Sequence, residues 1–528
     1  MRPLLKVLPV FLFLFLSFLC VAQTGESELL RRAQTAIEQG QWSRAHSLLQ
    51  QALRAHPASP GAYNLLGYLH ARQGRVQEAE DALKKSLRYD PNFVPARFNL
   101  GNLYMETGRK DEAIAEFQRV LVLELNYVGA YLNLGVLYTR HGELDKAIQH
   151  LERARELDTE NPQVLLALAD VYFKAQKPEQ AQKTVELLHQ MGATDQRLWP
   201  ALGTVLAENG QLGAAHALFE QAARQEPQRF EAQYGLAFTL HKLGRLREAE
   251  PAIRAAVQLR PDRADAQLLL GLILSARGES EGAIEAWQRA ALIEPTNAEI
   301  YFLIGEELMK RKAYESAIAA YNRATMLEPR FPLYWIRLGD AYYLHVNILK
   351  ARDAYERAYT LDPRGQHVNY LVGALALQLS EFDSALQHLR KEAELYPQDF
   401  EAWASLGEAY LLLNRSEESE RALHRAAELN PSYAPTFYHL GRLYLRQQRL
   451  PEAVRTLEKA VAEAPQLASA HYQLYLAYRR TGQPERAAQE LALFQKLEDE
   501  SRKRDAGSPQ VKRVEPVPLH RATATKPK

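Results

Sequence analysis

A column of small residues spaced by 34 constrains this chain more than any other feature. It runs through Ala33, Gly67, Gly101, Gly135, Ala169, Gly203, Ala237, Gly271, Gly305, Gly339, Gly373, Gly407, Gly441 and Tyr475, fourteen positions holding ten Gly and three Ala. With 27 Gly in 528 residues, chance would place fewer than about one there. A second column is alanine from Ala45 to Ala487, broken only by Ser419. A third carries Pro57, Pro91, Pro227, Pro261, Pro295, Pro329, Pro363, Pro397, Pro431 and Pro465. The phase is unbroken from 26 to 501. It fixes units starting at 26, 60, 94, 128, 162, 196, 230, 264, 298, 332, 366, 400, 434 and 468, numbered 1 to 14 below.

Each column has a physical reason. Within a unit numbered 1 to 34, apolar residues recur at 4, 7, 8 and 11 and again at 20, 24 and 27, so each unit contains two amphipathic helices. Small residues at 8 and 20 let the two helices approach closely. Position 15 is Gly in Gly74, Gly108, Gly142, Gly210, Gly244 and Gly278, where a tight turn needs positive φ. Acids such as Asp111, Glu112 and Glu248 fall in the first turn of the second helix and favour its dipole. Proline at 32 ends that helix before the next unit begins. Unit 5 has Gln176 and Ala193 in the glycine and proline columns, and its turns are expected to deviate.

An aromatic at 4, Leu-Gly at 7–8, Tyr at 11, Ala at 20, an aromatic or Leu at 24, Ala at 27 and Pro at 32 resemble the tetratricopeptide repeat. The resemblance covers about nine-tenths of the chain and implies an all-α, right-handed α-solenoid. First helices would line its inner groove. The edge units differ as caps do: Arg32 replaces Leu in the first, and Tyr475 and Asp499 occupy the Gly and Pro columns of the last.

Two segments lie outside the array. Residues 1–22 begin Met1-Arg2-Pro3-Leu4-Leu5-Lys6 and continue with an apolar run to Ala22, the pattern of a secretory signal peptide cleaved before Gln23. An uncleaved anchor and a lipidated Cys20 are the alternatives, the latter handicapped by Leu19. Cys20 is the single cysteine, so cleavage after Ala22 removes all thiol chemistry. Residues 502–528 form a basic, Pro-containing tail without apolar periodicity, expected to be a disordered, solvated terminus. Taking the leader's +2 and the tail's +6 from the overall +1 leaves −7 on the array. A mildly acidic body argues against nucleic acid as a partner.

Chemistry-bearing patterns are few. The fifteen His include no pair at i+3 or i+4 that would make a helical zinc motif. No glycine cluster forms a phosphate loop, and no carboxylate pair stands out in the sequence. The expectation is therefore a non-enzyme without cofactor or metal. Long arrays of this family carry Asn at position 6 along the groove; here only Asn99 and Asn133 fit, followed by Ala167, Ala201 and Gly235. Members that grip a C-terminal carboxylate use Lys at position 5, which here never carries Lys or Arg.

Positions 5, 9 and 12 point away from the face that packs the hairpin. They hold Tyr234, Phe238, Phe302, Tyr343, Tyr370 and Tyr438, interleaved with Glu306, Asp340 and Glu408. Such a stripe serves either packing or recognition. Read as recognition, it is a partner groove centred on repeats 8 to 13 that takes an extended or helical protein segment with apolar anchors and basic residues. The expected function is a non-enzymatic interaction scaffold, exported to the periplasm or secreted, touching membrane only through a retained or lipidated leader. The alternative is a regulatory or recruiting subunit of an envelope enzyme or secretion complex whose chemistry resides in another chain.

Overall fold

The computed structural model describes residues 25–194 and 198–505. The leader, Cys20 and the tail beyond Asp505 lie outside the described residues. Among the described residues there are 28 helices and no strand. They alternate in the expected register, with first helices such as Ala298–Lys310 and Pro332–Leu344 and second helices such as Tyr314–Leu327 and Ile348–Leu361. No described helix is long and apolar enough to cross a membrane.

The chain divides into two compact units, one ending at Arg277 and one beginning at Gly278. Within each, a first helix packs on its own second helix, and that second helix on the first helix of the next repeat. The core is a series of apolar clusters spanning a few repeats each, as in Ala33–Leu69 and Ala79–Ala181 of the first unit and Ala351–Ala422 of the second. Each repeat thus depends on its neighbours for burial.

The position-20 column is fully buried from Ala45 to Ala453. Its one exception, Ser419, satisfies its hydroxyl by donating to the Gly407 carbonyl at 2.7 Å. The glycine column faces position 24 of its own repeat. A Cβ on Gly67 would stand 2.6 Å from Leu83 Cγ, and one on Gly305 2.5 Å from Tyr321 Cε1, separations that leave no room for a side chain.

Position 15 is left-handed in all fourteen repeats, and six of these residues are not glycine: Gln176, Lys312, Val346, Ser380, Asn414 and Gln448. Gln176, at φ 56°, turns like its glycine counterparts, which corrects the expectation of a deviant turn there. The end of repeat 5 does deviate: its second helix, Pro178–Thr194, is three residues longer than the usual 14. The last helix, Pro484–Asp505, also runs on, so Arg502–Asp505 are helical rather than part of a disordered tail. Leu125 and Thr159 stand in the proline column at position 32, yet their helices stop in register at Leu123 and Leu157. Proline there ensures the stop without being required for it.

Candidate partner-binding face

The proposed groove residues sit on first helices, and the structure divides them. Tyr234, Phe238 and Tyr370 are buried, as is Asp340. Phe302, Glu306, Tyr343, Glu408 and Tyr438 are half-buried. None is openly exposed, which corrects the expectation of solvent-facing rings. The reason is a second seam. A helical wheel drawn for one hairpin has a single packing side, but the first helices of repeats 11, 12, 13 and 14 also touch one another in sequence. Position 5 points into that contact. Only in repeat 14, the last among the described residues, is the residue at this position exposed: Tyr472, at 39%.

In the first unit, Tyr234 stacks on Phe230 with centroids 5.5 Å apart. Burial pushes its hydroxyl pKa up, and Asp265 adds to this. Lys242 lies over the Phe238 ring at 5.6 Å. Asn99 and Asn133 are buried and tied to preceding repeats, donating to Asn64 Oδ1 at 2.9 Å and Asn102 Oδ1 at 2.6 Å.

In the second unit the acids are woven into the scaffold. Because residue 305 is glycine, the Tyr321 ring passes beneath the first helix, and its hydroxyl donates to Glu306 at 2.6 Å. Gly339 does the same for Tyr355, whose hydroxyl donates to Asp340 at 2.8 Å. Arg337 bridges the two repeats, with Nε 3.3 Å from Glu306 and Nη1 3.2 Å from Asp340. Burial raises the Asp340 pKa despite Arg337 and the Tyr355 hydroxyl, both of which pull it down. Glu408 lies 3.6 Å from His439 Nε2 and 4.0 Å from Arg442, and the Arg442 guanidinium covers the Tyr438 ring at 5.4 Å.

Phe302 packs between Tyr321 and Tyr334, centroids 6.0 and 5.1 Å away. The Tyr343 hydroxyl accepts from Gln378 of the next repeat at 2.6 Å. Beside it Leu344 is exposed. The half-buried residues therefore keep part of their surface in water while neighbouring side chains hold them in place. Repeat 11 adds a group that sequence spacing could not reveal: His367, Glu392 and Asp399, from three elements, converge.

These features define an array of helical hairpins. Matches to family models agree: two described as "Tetratricopeptide repeat" cover residues 30–92, 373–434 and 438–500, and 70–134, 138–203 and 206–273, and one described as "TPR repeat" covers 305–345. The chain belongs to the tetratricopeptide repeat family. No catalytic family is among these matches, and repeats of this kind bind protein or peptide segments, so the chain is a protein-interaction scaffold.

No curated protein matches significantly. Among solved structures, the chain is similar to one described as the APC/C hetero-tetramer Cut9-Hcn1, at 16% identity and TM-score 0.41, covering 86% of this chain and 97% of that one. It is also similar to YrrB, described as a TPR protein with an unusual peptide-binding site, at 24% identity and TM-score 0.32, covering 36% of this chain and 97% of that one.

Proposed function

We propose that the chain is a non-enzymatic scaffold acting outside the cytoplasm, and that it holds an extended or helical protein segment on the first-helix face of repeats 9 to 13. The observation that carries this reading is the half-buried set Phe302, Glu306, Tyr343, Glu408 and Tyr438 with exposed Leu344. Rings braced by their neighbours lose little entropy when a ligand covers them, which favours their use as anchors. Glu306 and Glu408 keep part of their surface in water and favour a segment with basic residues, though Arg337, His439 and Arg442 already offset some of that charge. Tyr370 and Asp340 serve this face as supports, while Tyr234 and Phe238 are buried in the first unit.

Export rests on the leader, with a cleaved signal as the first reading and an anchor or a lipid on Cys20 as variants. N-terminal sequencing of the mature protein decides among them: Gln23 means cleavage, Met1 an anchor, a modified Cys20 a lipoprotein.

The test of the face is a triple substitution, Phe302→Ala, Tyr343→Ala and Tyr438→Ala, in the full chain. Partners captured by the wild type should be lost while the variant still melts cooperatively. Undiminished capture by a folded variant would refute this placement. A native complex that contains an envelope enzyme would favour the second reading, a recruiting subunit.

A further inference from the structure

Repeat 11 breaks the register at its start. Its first helix, Val368–Gln378, opens two residues later than the 34-residue spacing requires. His367 caps it at φ 64°, and among the described residues it is the one non-glycine with positive φ outside position 15. A residue held in this sparsely populated region marks a place where the surroundings dictate the backbone.

The turn brings His367 Nδ1 to 3.2 Å from Asp399 Oδ2. Asp399 is the N-cap of the next first helix, Phe400–Leu412, and its Oδ1 accepts the backbone N–H groups of Glu401 at 3.0 Å and Ala402 at 3.1 Å. Oδ2 is left for the imidazole. Glu392, on the helix Phe382–Leu395, accepts the His367 backbone N–H on Oε1 at 2.7 Å. Its Oε2 has no hydrogen-bond partner among the described residues, and neither has Glu401 Oε1. Glu392 is completely buried, Glu401 is 5% exposed, and the Asp399 side chain is 6% exposed. Donor atoms of His367, Glu392 and Asp399 lie within 4.8 Å of one another.

Buried carboxylates need either protons or positive charge. A single proton neutralises only one of these carboxylates. A cation accepts every lone pair at once.

We propose that His367, Glu392 and Asp399 bind one divalent transition-metal ion through one nitrogen and two oxygen donors, with solvent completing its shell. One imidazole nitrogen with carboxylate oxygens suits Zn2+ better than Mg2+ or Ca2+, which take oxygen shells. Donors around a tetrahedral zinc at about 2.0–2.2 Å stand roughly 3.4 Å apart, so closure by about an ångström, within side-chain rotation, completes the site. His367, with a side chain 27% exposed, is the entry point. The ion staples the irregular start of repeat 11 to its own second helix and to repeat 12. This inference is independent of the partner-binding reading.

The test uses the full chain, stripped with EDTA and titrated with Zn2+ by calorimetry, with thermal melts alongside. One Zn2+ should bind per chain and raise Tm until equivalence. Glu392→Gln and His367→Gln should each weaken binding by at least about 100-fold, more than loss of a supporting contact costs, while Glu394→Gln on the same helix changes nothing. Hydrogen exchange on the wild type needs no variant: added Zn2+ should protect residues 366–401. Absence of binding, preference for Mg2+ or Ca2+, undiminished binding by both ligand variants, or protection confined to other repeats would each overturn the proposal.

Discussion

The Arg449 guanidinium lies 4.2 Å from the centroid of the Tyr444 ring, and both side chains reach back to Glu420 of the preceding repeat, at 2.8 and 3.1 Å. The same arrangement recurs ten repeats earlier, with Arg109 over Tyr104 at 4.1 Å and both on Glu80. Acid at 21, then Tyr at 11 and Arg at 16 of the next repeat, is a polar clamp between neighbours. Replacing Tyr444 with Phe removes the hydroxyl bond to a part-buried carboxylate and should cost about 1 kcal/mol. Arg449→Lys should fail to restore what Arg449→Ala loses, since an ammonium does not lie flat on the ring. Urea melts of the three variants check both statements.

Gly305→Ala is expected to destabilise by about 1–3 kcal/mol. The new Cβ would meet the Tyr321 ring at 2.5 Å, and moving that ring also breaks its bond to Glu306. Tyr321→Leu in the same chain should recover part of the loss. Hydrogen exchange should show the damage concentrated in repeats 8 to 10, because stability in such arrays is a nearest-neighbour property.

Two tyrosines at equivalent positions should behave oppositely. Tyr370 is 2% exposed and belongs to the apolar cluster with Tyr355 and Tyr410, so Tyr370→Ala should cost about 3–5 kcal/mol. Tyr472, in the last described repeat, is 39% exposed, and Tyr472→Ala should stay within about 1 kcal/mol. Thermal melts distinguish them directly.

His439 supplies a pH dependence. Burial lowers its pKa below 6.5, Arg442 acts the same way, and the carboxylate of Glu408 opposes them without prevailing. The native state therefore takes up a proton less readily than the unfolded chain. Its contribution to stability is complete above pH 6.5 and is lost as the pH falls through the native pKa. His70, His150 and His241 are lowered by burial as well. Between pH 7 and 5 these histidines lower stability as protons are taken up, while Glu392 and Glu401, pushed up to about 7 by burial, act the other way. In denaturant titrations His439→Gln should therefore gain stability relative to the wild type as the pH falls across that range.

The repeat was legible because each column states one packing need in ten or more of the fourteen units. The Gly column, the buried Ala column and the hairpin register all follow from it. What escaped was the seam between first helices. Tyr370 and Tyr234 face away from their own second helices, as a wheel shows, yet toward neighbours that a single-unit wheel omits. Position 15 escaped in part, since Gln176 and Val346 adopt the geometry without being the residue that advertises it. The His367 group escaped altogether. Glu392 and Asp399 are 25 and 32 residues away from it, and the backbone break that gathers them occurs once, so no periodic pattern carries it.

At five successive corners, Lys312 through Gln448, side chains stand in a left-handed turn. Glycine there would relieve about 1 kcal/mol of native strain while giving the denatured chain about as much extra freedom to lose. The two effects oppose each other, so the corner is close to energetically neutral and its residue is left to drift. Val346, whose branched Cβ suits the turn least, is the corner where that balance tips toward glycine.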